Sequence, residues 1–175
     1  HLRGRDEDLV VVGAEAPGDQ AGMVGAHVLV IGGGSAAMDV ARSARRLGSD
    51  VTVMTLEPEG RLPAQKVEVA EAGEEGVSFV PGAMLQQAKA ANGKVDVNCI
   101  RVEFTPGDGP GAFSVVPVDS SEFTLTVDTI VPAIGQDVDL ARWATALTAN
   151  GPVLRADRHW QTSMEGVFVG GDAAS

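Results

Sequence analysis

An apolar strand that runs directly into three glycines and then into a helix leaves a chain few ways to fold. Residues 27–48, HVLVIGGGSAAMDVARSARRLG, are such a stretch. His27 to Ile31 is a short β-branched run of the kind buried on both faces of a parallel sheet, and Gly32 stops it. From Ser35 onward Ala37, Val40, Ala41, Ala44 and Leu47 recur at helical spacing, with Asp39, Arg42, Arg45 and Arg46 on the other side. This predicts one packed face and one wet face. Gly48 ends the helix, and DVTVMTL from Asp50 to Leu56 resumes an extended apolar pattern, so the unit reads β-α-β.

The turn inside this unit has the pattern Gly32-x-Gly34-x-x-Ala37. Gly32 suits a tight turn, Gly34 lets a pyrophosphate approach the backbone, and Ala37 is small enough for the helix to sit close to the strand. Free amides and the helix dipole make the start of such a helix an anion site. Gly32, Gly33, Gly34, Ser35, Ala36 and Ala37 are therefore candidate dinucleotide-binding residues. Two alternatives stay open at this point: the glycines serve only a tight turn, or a related methyltransferase-type βαβ domain uses them for S-adenosylmethionine.

Composition narrows the partners. A net charge of −11 with no basic stripe argues against nucleic acid. One cysteine, Cys99, excludes an intramolecular disulfide framework and a CxxC redox pair and fits a reducing compartment. No secretory signal or apolar run of transmembrane length is apparent, so a cytoplasmic protein without membrane partners is expected. Neither metal-ligand spacing nor a Ser/His/Asp order stands out, and His27 and His159 read as structural or surface residues.

The rest of the chain follows an alternating order. Residues 1–25 read as a lead-in segment, and a start at His1 reads as an excised piece. Turn signals at Pro58, Gly60 and Pro63 precede an expected helix from about Ala64 to Glu74, and Val77 to Val80 is a third short strand. Ala83 to Ala91, Lys94 to Thr105 and Phe113 to Val118 are extended candidates, the first two joined by Asn92-Gly93, a hairpin signal. The expected fold class is α/β: a Rossmann-like parallel sheet with an inserted antiparallel three-stranded β-meander, in three β/β/α layers. Leu125 to Ile134 is expected to return to the parallel sheet. Asp139 to Leu147 reads as a short helix, and Pro152 to Ala156 and Val167 to Val169 read as short strands.

Three segments together carry a resemblance: VIGGGSAAMDVAR at Val30 to Arg42, DTIVPAIGQ at Asp128 to Gln136, and TSMEGVFVGGDAAS at Thr162 to Ser175, with RLPAQ at Arg61 to Gln65. The chain resembles the pyridine-nucleotide domain of two-dinucleotide flavoproteins, in the glutamate synthase small-subunit-like group. The resemblance implies an NAD(P)-binding domain over residues 26–160. Residues 161–175 would then return to an FAD-binding domain that lies elsewhere in a longer chain. It further implies that hydride passes from NADH or NADPH to the flavin, with no side chain of this chain acting as acid or base. Electrons would then leave to an iron–sulfur or other acceptor subunit. Ala133, Ile134 and Gly135 are implied cofactor contacts, Gly135 at the junction of the two domains, and Gly171 and Asp172 would meet the flavin. The missing CxxC separates the chain from the thioredoxin-reductase branch of the fold. A non-redox module that holds NAD for regulation is the remaining alternative.

The end of the second strand bears on the choice of cofactor. A carboxylate there suits the ribose hydroxyls of NAD, whereas arginine suits the 2′-phosphate of NADP. The group that the chain resembles commonly reads Tyr-Arg-Arg; this chain reads Thr55-Leu56-Glu57. The expected cofactor is therefore NAD, with NADP left open because Arg61 or Lys66 could fold back onto a phosphate.

Overall fold

The computed structural model describes residues 24–108, 112–135, 146–150 and 153–174. The lead-in expected over residues 1–25 lies almost wholly outside them, as does most of the helix expected from Asp139. The chain divides into two compact units, His1–Gly135 and Gln136–Ser175.

In the first unit, β1 (His27–Ile31) pairs in parallel with β2 (Asp50–Met54), and β2 with β3 (Ser78–Val80). Strand β8 (Thr129–Pro132) lies on the other side of β1, giving the order β3-β2-β1-β8. Helices α1 (Ser35–Arg46) and α2 (Lys66–Glu74) make the crossovers. Alternation along β1 decides how the layers form. Val28 and Val30 join Ala37, Met38, Ala41 and Ala44 of α1 in one core. Leu29, between them, belongs to a second core with Met54, Val95, Val97, Cys99, Val127 and Ile130. The unbroken apolar run Val28 to Ile31 in β1 is thus what a sheet covered on both faces requires.

The second core belongs to an antiparallel sheet. Strands β4 (Ala83–Ala91), β5 (Lys94–Pro106) and β6 (Phe113–Pro117) are the three expected. A fourth, β7 (Phe123–Val127), also pairs with β5. The stretch expected as one returning strand therefore splits at Asp128, with β7 in the meander and β8 in the parallel sheet. Asp128 is nearly buried and explains the split. Its carboxylate accepts from the His27 amide at 2.8 Å and from Lys94 Nζ at 2.7 Å, and His27 Nδ1 lies 3.4 Å away. These groups come from β1 and β5, so Asp128 pins the chain where it passes from one sheet to the other. The hydrogen bond from Lys94 pulls its carboxyl below the usual aspartate range, aided by the His27 amide and opposed by the burial of the carboxyl itself.

One expectation needs correcting. The arginine face of α1 is not simply wet, because α2 lies against it. Arg42 bridges Glu71 and Glu75 at 2.7 Å each, and Arg46 also reaches Glu75. Arg45 Nε donates to the Glu75 carbonyl at 3.0 Å. Hydrogen bonds from Arg46 and Arg42 hold the Glu75 carboxyl down to about 2.

In the second unit, β9 (Ala149–Asn150) and β10 (Val153–Leu154) pair antiparallel. The strand expected at Val167 to Val169 reduces to a single bridge between Gln161 and Phe168. A short 3-10 turn spans Gly171–Ala173.

Candidate nucleotide-binding site

The glycine turn sits at the carboxyl ends of β1 and β2, and its three glycines have three different reasons. Gly32 has φ +133°, and its amide extends the ladder by donating to the Met54 carbonyl at 3.0 Å. A β-carbon there would run into the backbone carbonyl of Ala133, at the end of β8. Gly33 is buried, and its carbonyl accepts from the Ala64 amide at 2.9 Å. A β-carbon on Gly33 would lie 3.0 Å from Pro63 Cδ, 3.2 Å from Glu57 Oε2 and 3.3 Å from Thr55 Cγ2. Gly34 has nothing within 4 Å of that position, so no packing in the described residues excludes a side chain there.

Gly34 is also the N-cap of α1, and its carbonyl accepts from the Ala37 and Met38 amides at 3.0 and 3.2 Å. The amides of Ser35 and Ala36, in the exposed first turn, have no partner within the helix. Open space over Gly34 beside two free N–H groups is a surface that fits a phosphate. Ala37 is fully buried in the α1–β1 core, so its small side chain sets how close the helix stands to the strand.

The Thr55-Leu56-Glu57 corner faces the same turn. Thr55 is buried, and its hydroxyl donates to the Glu57 carbonyl at 2.8 Å, which shapes the corner from within. Leu56 and Glu57 are half-buried, and the Glu57 carboxylate stands against Gly33. Arg61 and Lys66 are exposed, and neither forms an ion pair among the described residues. Ala133 touches Gly32, Ile134 beyond it is 68% exposed, and Gly135 closes the unit with φ +90°. The structure therefore brings residues 32–37, 55–57 and 133–134 around one strand end. Gly171 and Asp172 belong to the other unit, where Gly171 has φ +64° and open space around it.

Sequence reasoning missed Glu68. It accepts from Ser35 Oγ at 2.6 Å and from the Gln65 amide at 3.0 Å, linking the start of α2 to the start of α1. The spacing Gln65-x-x-Glu68 was the available signal, since an acid three residues after a cap reaches back to the cap amide. Cys99 is buried without a disulfide partner, and burial pushes its thiol up. No group of three or more metal-ligating side chains occurs among the described residues.

Residues 6–175 match the family model described as pyridine nucleotide-disulphide oxidoreductase. The chain belongs to this family. Among its relatives, the NADPH-Fe(3+) oxidoreductase subunit beta of Geobacter sulfurreducens is 34% identical over 86% of this chain and 26% of its own length. The NADP(+)-dependent formate dehydrogenase subunit beta of Moorella thermoacetica is 36% identical over 85% of this chain and 22% of its own. The glutamate synthase [NADPH] small chain of Escherichia coli is 33% identical over 86% of this chain and 34% of its own. The chain thus spans about a quarter to a third of these relatives. The family's fold is seen in the thioredoxin reductase of Lactococcus lactis, which superposes with a TM-score of 0.65 at 22% identity, over 86% of this chain and 45% of that one. No helix among the described residues is long and apolar enough to cross a membrane.

Proposed function

We propose that this chain is the pyridine-nucleotide-binding part of an FAD-dependent oxidoreductase, and that it receives NADH in preference to NADPH. The observation that carries the reading is the open face of Gly34 beside the free amides of Ser35 and Ala36. Packing accounts for Gly32 and Gly33 but leaves Gly34 without a structural reason, and close approach of a pyrophosphate supplies one.

In this reading Gly34, Ser35 and Ala36 hold the pyrophosphate and Ala37 keeps the helix close. Thr55 and Leu56 shape the corner that presents Glu57 to the adenosine ribose. Ala133 and Ile134 flank the path toward the nicotinamide. The NAD(P)-binding part runs over residues 26–160 with Gly135 at the junction, and residues 161–175, with Gly171 and Asp172, return toward a flavin domain. When bound, the two cofactors supply hydride transfer; the chain's own residues bind and orient them, and none moves a proton. Relatives named as subunits fit a further acceptor in a larger assembly, and the buried reduced Cys99 fits a cytoplasmic setting.

The preference for NADH rests on charge. A second phosphate at the adenosine ribose would meet the Glu57 carboxylate, which no cation offsets among the described residues. On this reading the chain departs from relatives whose names carry NADPH. Calorimetric titration with NADH and NADPH tests both parts: the reading expects binding of both and tighter binding of NADH, and binding of neither defeats it.

A further inference from the structure

Glu68 stands at the flank of the phosphate surface with no cation paired to it among the described residues. Its Oε2 is shared between the Ser35 hydroxyl at 2.6 Å and the Gln65 amide at 3.0 Å, and no ion pair to Glu68 exists among the described residues. Ser35 is the first residue of α1, directly after the Gly34 cap. The Ala64 amide, donating to the Gly33 carbonyl, ties the entry of α2, whose first turn carries Glu68, to the same turn. A carboxylate is thus held, by a helix whose entry is anchored on Gly33, against the hydroxyl that opens the phosphate-binding helix.

We propose that Glu68 is an internal competitor of the dinucleotide phosphates: it occupies the Ser35 hydroxyl and places a negative charge beside the α1 N-terminus, weakening NADH and NADPH alike. The proposal rests on the nucleotide-binding reading above. A bound pyrophosphate accepts hydrogen bonds from the first turn of α1, and the Ser35 hydroxyl can donate to the phosphate or to Glu68, not fully to both. Either Glu68 loses that hydrogen bond or two anions share one donor, and both outcomes cost affinity. A domain that must release spent dinucleotide gains from such a brake. The effect differs in kind from that of Glu57, which faces Gly33 and the ribose corner and acts on the choice between cofactors.

The test is titration of the whole 175-residue chain and of Glu68→Gln with NADH, NADPH and ADP at low and high salt. A glutamine can still accept from the Gln65 amide, so the cap is kept while the charge is removed. The expected result is that all three ligands bind about three- to tenfold tighter to E68Q, by a common factor, and that the gain shrinks with salt. The NADH to NADPH ratio stays as in the unsubstituted chain. A merely structural role predicts weaker or unchanged binding, and either result overturns the proposal. Should E68Q fold poorly, the side-chain carboxyl resonance of Glu68 in the unsubstituted chain decides. It moves on saturation with ADP if the proposal holds, and a resonance that stays in place overturns it. If the unsubstituted chain binds none of the ligands, the nucleotide-binding reading itself falls. If it binds them and E68Q binds no tighter, only the competitor role falls.

Discussion

The backbone carbonyl of Ala133 occupies the space that a β-carbon on Gly32 would need. Strand β8 therefore ends against the glycine turn, and the Ala133 amide confirms the register by donating to the Ile31 carbonyl at 2.7 Å. Turn and strand end are built together, so two segments about a hundred residues apart meet at one strand end.

Glycine substitutions separate packing from binding. Gly32→Ala meets both a positive φ and the Ala133 carbonyl, so it lowers stability by about 2–4 kcal/mol, read from the urea midpoint. Gly34→Ala has φ −84°, an ordinary value for alanine, and open space. It changes stability by no more than about 1 kcal/mol. Its dinucleotide affinity nevertheless falls on the order of tenfold or more, about 1.4 kcal/mol for each tenfold.

Neutralising Glu57 shifts cofactor choice. Glu57→Gln raises NADPH affinity relative to NADH by about three- to tenfold at low salt, and the ratio contracts as salt screens the charge. Parallel titrations with both dinucleotides check it; an unchanged ratio removes Glu57 from the selection of cofactor.

Much of this was legible in the sequence because periodicity reports burial directly. The apolar run Val28 to Ile31 in β1 announced a sheet covered on both faces, and Asn92-Gly93 announced the β4–β5 hairpin. The division at Asp128 was hidden, since a strand leaving one sheet and entering the next has the same apolar pattern throughout. Only the long-range partners His27 and Lys94 mark the break. The arginine face of α1 misled for a similar reason: charge on a helix reads as solvent until a neighbouring helix supplies Glu71 and Glu75. Three glycines in a row likewise look alike, and only the structure assigns Gly32 to Ala133, Gly33 to Glu57 and Pro63, and Gly34 to open space.

The Asp128 cluster gives an acid limb to stability. Its folded carboxyl titrates below the unfolded value, so its contribution is complete above the ordinary aspartate range and is lost as pH falls through the folded value. Asp128→Asn lowers stability at neutral pH by about 1–3 kcal/mol and flattens the acid limb, as denaturant midpoints across pH 3 to about 7 will register.

The clamp between α1 and α2 is salt-sensitive. Glu75 titrates at about 2 in the folded chain against an ordinary 4.5, so its contribution is present above that range and fades between the two values. Glu75→Gln lowers the melting temperature at low salt, and the gap from the unsubstituted chain narrows in high salt because the ion pairs lie near the surface. Melting curves over a salt series check this.

Calorimetric titration of the unsubstituted chain and of Gly34→Ala with NADH tests the central claim most directly. Measurable binding is expected for the first, and for the second binding weaker on the order of tenfold or more, with a melting temperature moved by no more than about a few degrees. Equal binding by both proteins, or none by the unsubstituted chain, would contradict it.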